Sequence, residues 1–83
     1  MIESATAADG KVTLTIATLD GADSFKVYRA TTATGAKTVL GSTATNSFED
    51  TAVVAGKKYF YFVKAIAADG TETGFSSYKT VNV

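Results

Sequence analysis

Cysteine, histidine, tryptophan and proline are all missing from this 83-residue sequence. Without cysteine the chain forms neither a disulfide nor a thiolate site. Without histidine it lacks the commonest general base and the commonest metal ligand together. No apolar run approaches the ~20 residues that a membrane-spanning helix needs, so no membrane role is expected. The opening residues, Met1-Ile2-Glu3-Ser4-Ala5-Thr6, have no positive n-region and no apolar h-region. If the parent protein is exported, its signal is expected outside this segment. An excess of charge is lacking as well: eight basic and eight acidic residues give a formal charge of +0. The basic residues are scattered, and the only adjacent pair is Lys57-Lys58. Nucleic acid, which is held by a stripe of Lys and Arg neutralising phosphates, is therefore not an expected partner.

What is present fits one small folded unit. The length suits a single domain over residues 1–83. Hydrophobic residues make up 46% and charged residues 19%, which argues against disorder. β-Branched and aromatic residues gather in short bursts between turn signals, the pattern of an antiparallel β protein. Val12-Thr13-Leu14-Thr15-Ile16 alternates strictly, so Val12, Leu14 and Ile16 should point into a core. Asp9-Gly10 before it is a hairpin turn signal, with a modest edge strand expected around Ser4 to Ala7.

Further along, Asp20 to Asp23 reads as a loop and Phe25 to Arg29 as a strand. Thr31 to Gly35 is small and polar, a loop. Thr38-Val39-Leu40 and Ser47-Phe48-Glu49 are short strands, with a turn at Ala55-Gly56. Tyr59 to Ile66 is the longest strand; apolar residues on both faces mark it as central. A second Asp-Gly loop spans Ala68 to Gly74, and Phe75 to Val83 is expected as the last strand. Helical periodicity is not convincing anywhere. The fold class is therefore all-β, a seven-stranded antiparallel immunoglobulin-like sandwich of two sheets.

The order of these segments resembles that of bacterial or phage fibronectin type III domains. Gly10 to Ile16 resembles the family's second strand, and Ser24 to Arg29 its third. Ser47 to Thr51 resembles the fifth, with Val53 at the place of the corner leucine. Ala55 through Ala65 looks like the sixth, with Tyr59 matching the corner tyrosine. Three departures stand out: Ile16 where tryptophan is usual, Ala55 where proline is usual, and no proline anywhere. The smaller Ile16 leaves core volume for Phe25, Phe48 or Tyr61 to fill. The resemblance implies that the Tyr59 hydroxyl bonds backbone near the preceding corner.

Candidate chemistry is thin. Asp20 with Asp23, and Asp69 with Glu72, carry oxygens of the kind calcium takes, but neither loop has an alternating series of acids. Turn formation already accounts for both Asp-Gly pairs. Glu49 and Asp50 are neighbours on a strand, face opposite ways and cannot work as an acid–base pair. Ser76 and Ser77 have no histidine to activate them, and no glycines have phosphate-cradling spacing. No catalytic, cofactor-binding or metal residue is assigned, and no enzyme activity is expected.

The feature carrying most weight is an aromatic row. If Tyr59, Tyr61, Val63 and Ala65 point inward, then Phe60, Phe62, Lys64 and Ile66 point outward, with Tyr28 packed across from one of the phenylalanines. Tyr28, Phe60, Phe62 and Ile66 are the candidate partner-binding residues. Cross-strand pairing, with Lys26 and Lys64 draped over the rings, explains the same row without any ligand. The resemblance implies a non-catalytic spacer of a larger extracellular, cell-surface or virion protein, monomeric when isolated. Its neighbours would be other domains of that parent. The competing reading is a module that binds protein or polysaccharide through the outer face.

Overall fold

The computed structural model describes residues 2–83. Seven strands follow one another: β1 (Ile2–Ala8), β2 (Lys11–Ile16), β3 (Ala22–Ala30), β4 (Thr38–Thr43), β5 (Ser47–Asp50), β6 (Lys58–Ala67) and β7 (Lys79–Asn82). They form a three-stranded sheet in the order β1-β2-β5 and a four-stranded sheet in the order β4-β3-β6-β7, with every pair antiparallel. This is the sandwich expected from the sequence.

Alternation drives the packing. Val12, Leu14 and Ile16 lie at 0–1% exposure, as their period-two spacing requires. Opposite them, Phe25 and Val27 of β3 and Tyr59, Tyr61, Val63 and Ala65 of β6 close the core. The volume that a tryptophan would fill at position 16 is shared between buried Phe25 and Tyr61, with Phe48 packed half-buried against the cluster. The β1–β2 hairpin turns through Asp9 (φ 54) and Gly10 (φ 76). Two positive φ angles in succession suit the right-handed twist of the strands, and the second is unstrained only because it is glycine.

Several boundaries differ from the sequence reading: β1 begins at Ile2, β4 runs on to Thr43, and the start of β3 and the last strand shift. Ala22 and Asp23 belong to β3, because Leu19 to Ala22 already closes the turn through an Ala22 N–H bond to the Leu19 carbonyl at 3.1 Å. The last strand is shorter than 75–83, since only Lys79–Asn82 forms a regular ladder on β6. Residues 73–78 run beside β6 in a bulged path. Ala65 N donates to Thr73 Oγ1 and Val63 N to Ser76 Oγ, both at 3.0 Å. The backbone N–H groups of Thr73 and Ser76 return bonds to the Ala65 and Val63 carbonyls. From 73 to 76 is three residues, while 65 to 63 on β6 is two. From Ser76 to Lys79, which is paired with Tyr61, the same three-against-two step recurs. Each step inserts one extra residue, and hydroxyls replace the carbonyls that a regular strand would present.

The strand directions also fix where the chain enters and leaves. Ile2 is paired with Ile16, whose strand leads through one turn into Ala22, opposite Ala67. These residues share one pole. Asn82 is paired with Lys58, while Phe60 faces Ala30, at the pole reached from Asp50 through residues 51–57. There Val83 is held by backbone bonds to Gly56 and Lys57. The molecule measures 39 × 25 × 17 Å, and the start of β1 and the end of β7 lie at its opposite poles.

Candidate functional site

The outer face of the four-stranded sheet is built by register. Tyr28 on β3 stands directly opposite Phe62 on β6, with Lys26 opposite Lys64, Ser24 opposite Ile66 and Ala30 opposite Phe60. All four candidate residues, Tyr28, Phe60, Phe62 and Ile66, therefore share one face. They are not equally open. Phe62 is only 5% exposed, and Tyr28, Phe60 and Ile66 are half-buried. Phe62 is thus outward-pointing but covered, while Tyr28, Phe60 and Ile66 remain partly accessible.

The cover comes from the bulged segment. Its two extra residues swing Phe75 and Tyr78 across the sheet. Phe75 meets Tyr28 edge-on at 4.8 Å between ring centroids and Phe62 at 6.0 Å. Tyr78 packs on Phe60 at 5.1 Å and on Phe62 at 5.8 Å. Such offset and T-shaped contacts suit the ring quadrupoles. Lys37, from the loop before β4, places its ammonium 4.5 Å from the centre of Phe62 and 5.0 Å from that of Phe75. Lys64 lies 4.4 Å above Phe75, and Lys26 lies 5.8 Å from Tyr28. The lysines expected to drape do so, over Tyr28 and Phe75 rather than over the β6 phenylalanines. Sequence reading missed Phe75 and Tyr78 as part of this face: period two counted back from buried Val81 directs Tyr78 outward but Phe75 inward, and only the bulges bring Phe75 across.

A second polar feature lies inside the sandwich. Asp50, at the end of β5, is 4% exposed and projects between the sheets. Its Oδ2 accepts from Arg29 Nη1 of β3 and from the Tyr61 hydroxyl of β6, both at 2.8 Å. Its Oδ1 accepts from the Ala52 N–H at 3.1 Å. Three donors thus converge on one buried carboxylate, and Arg29 stacks 5.0 Å above the Tyr59 ring. Burial, then the hydrogen bond and negative charge of Asp50, push the Tyr61 phenol well above its ordinary value of 10.0. For Arg29, burial alone favours the neutral form, but the bond and charge of Asp50 outweigh it and hold the guanidinium charged. Among the described residues no buried side-chain nitrogen or oxygen lacks a hydrogen-bond partner. The network links the sheets; it holds no nucleophile or acid–base pair.

Tyr59 performs the corner role that the resemblance implies. Its hydroxyl accepts the Val54 N–H at 2.9 Å, five residues back, and pins the turn that carries half-buried Val53 over the core. Tyr59→Phe should lower stability by about 1–2 kcal/mol, because the partly buried Val54 N–H loses its acceptor. Chemical denaturation with an unchanged m-value would check it, and a change below measurement error would remove the corner role.

The acidic loops resolve into turns. Asp69 Oδ1 accepts the Thr71 N–H at 2.9 Å, and this bond holds its carboxyl below the usual value. Residues Asp20 to Ala22 and Thr71 to Thr73 come together around a shallow hollow of about 190 Å³. Among the described residues no group of three or more His, Cys, Asp and Glu side chains converges as a metal site.

Comparison with known proteins adds two kinds of relative. No protein-family model matches the chain. An amylopullulanase of Thermoanaerobacter thermohydrosulfuricus is 36% identical over 74 residues, which is 88% of this chain and 5% of that protein. An amylopullulanase of Thermoanaerobacterium saccharolyticum is 37% identical over 73 residues, or 87% of the chain and 6% of the relative. The chain therefore matches one small segment of these long proteins. Among solved structures, a pectate lyase from Erwinia chrysanthemi, crystallised with tetragalacturonic acid, superposes with a TM-score of 0.78 at 20% identity over 93% of this chain and 26% of its own. An Fn3-like protein from Clostridium thermocellum superposes with a TM-score of 0.90 at 29% identity, covering 99% of this chain and 86% of that one. This superposition agrees with the strand order and the tyrosine-pinned corner: the chain has the fibronectin type III-like fold.

Proposed function

We propose that the chain is a non-catalytic spacer module of a larger, secreted, polysaccharide-degrading enzyme. The observation that carries this reading is that the start of β1 and the end of β7 lie at opposite poles of a 39 Å body. A polypeptide threaded through such a module enters at one end and leaves at the other, so the module sets distance and direction between its neighbours. Support comes from the amylopullulanase relatives, of which the chain matches 4–6%. The polar groups inside the sandwich are consumed by mutual hydrogen bonds, which suits a rigid part with no covalent work.

The test is geometric. Placed between two reporter domains, the module should lengthen their separation in solution scattering by about the long axis of the sandwich. An insert that leaves the separation unchanged, because the neighbours fold back on it, would contradict the spacer role.

A further inference from the structure

The outer face of the four-stranded sheet concentrates positive charge in a molecule whose formal charge is +0. Lys26, Lys37, Lys58 and Lys64 each hold an ammonium within 5.8 Å of a ring centre on that face. Lys26 and Lys64 are register partners, and both sit 5.8 Å from the Tyr28 ring. Like charges placed directly opposite repel, so an arrangement of this kind wants an anion between them. Among the described residues the only carboxylate paired with any of the four is Glu72, 3.8 Å from Lys64. Between these lysines the outermost side chains are apolar and partly exposed. Phe75 is 45% exposed, Tyr78 47% and Val39, next to Tyr28 in register, 51%.

We propose that this face binds an extended polysaccharide bearing carboxylate groups, with the lysines pairing its carboxylates and Phe75 and Tyr78 packing on its sugar rings. The charge requires an anionic partner. The half-exposed rings of Phe75 and Tyr78 both pack on buried Phe62, with half-buried Tyr28 and Phe60 at either side, and together form a track rather than a pocket. A track takes a chain, not a compact ligand. Protein interfaces are rich in aromatic residues but depleted of lysine at their centres, whereas here the lysines are interleaved with the rings. A chain of uronic acids offers both an apolar ring face and a regularly repeated charge. The site is separate from the spacer role: a module can set distance and hold a polymer at once.

The experiment is affinity electrophoresis of the folded chain in polygalacturonate, in neutral pullulan and against single-stranded DNA, repeated at high salt. Polygalacturonate should retard the chain and pullulan should not, and salt should weaken the retention about tenfold or more as the charges are screened. The double variant Lys26→Gln/Lys37→Gln leaves the core untouched and should lose most of the retention. Phe75→Ser should weaken it further without changing the net charge, and thermal unfolding of each variant separates lost binding from lost fold. No retardation by polygalacturonate, equal retardation by pullulan, or DNA binding as strong as polygalacturonate binding would each overturn the assignment. None of these outcomes touches the scattering test of the spacer role.

Discussion

Asp50→Ala costs about 3–5 kcal/mol of folding free energy, the range expected when one partner of a buried ion pair is removed. For a domain of this size, that corresponds to a fall in Tm of roughly 12 °C or more. The magnitude follows from what the substitution strands. Tyr61, fully buried, loses the acceptor of its hydroxyl, and Arg29 loses its counter-charge inside the sandwich. The Ala52 N–H at the start of the corner also loses a partner. Since small domains are stable by only about 5–15 kcal/mol, this one change consumes much of the margin. Asp50→Asn retains acceptor capacity for Tyr61 or Ala52 and should cost less than the alanine variant. Urea unfolding of the three proteins measures both differences. An alanine variant within about 1 kcal/mol of the parent would mean that the sheets are joined by apolar packing alone.

Alkaline pH should destabilise the protein through Tyr61. The folded-state pKa of this phenol lies above the unfolded value, which is near 10.0. Below pH 10 the phenol is protonated in both states and contributes no slope. Above it the unfolded chain gives up the proton while the folded one retains it, so the native state binds more protons. Stability then falls as pH rises, by roughly 1.4 kcal/mol for each pH unit attributable to this one group. Two units above the unfolded value, the loss rivals that of a core truncation. Tyr61→Phe removes the titrating group: it should be less stable at neutral pH, by about 1–3 kcal/mol, yet show a shallower decline above pH 10. Parallel slopes for parent and variant in alkaline denaturation curves would place the titration elsewhere.

The buried network was encoded in the same alternation that gave the core, although that alternation was applied only to apolar residues. Phe48 and Asp50 share parity on β5, as do Val27 and Arg29 on β3 and Tyr61 and Val63 on β6. An aspartate, an arginine and a tyrosine all on inward parity, on three strands of a sandwich, are a satisfied polar cluster waiting to be read. Glu49 and Asp50 do face opposite ways, one exposed and one buried.

The strands were legible because each rests on local periodicity and turn chemistry, and the corner through the resemblance carried by Tyr59; which strand pairs with which has no local signal. The outer face was legible only in part. Tyr28, Phe60, Phe62 and Ile66 were assigned to it by period two, and the register places them there. Period two counted back from Val81 would have put Tyr78 over Phe62, but Phe75 arrives through a segment that breaks that period twice. Lys37 arrives from a loop, where no repeat constrains direction. The interleaving of charge with rings is likewise a property of the assembled sheet, since its lysines come from three separated stretches of chain.

The placement of the chain ends at opposite poles also decides how the molecule meets a pull. Tension applied at these two ends runs along the strands. At one pole it draws Ile2 away from the hairpin partner of β1; at the other it draws Val83 away from the short β7. In both places the interstrand hydrogen bonds are loaded side by side, in shear, and must give way together rather than one after another. The four registered pairs of β7, reinforced by the clasp of Val83 on Gly56 and Lys57, are the shorter of the two anchors. A domain loaded in this way resists peeling from either end, and β7 is where extension would begin.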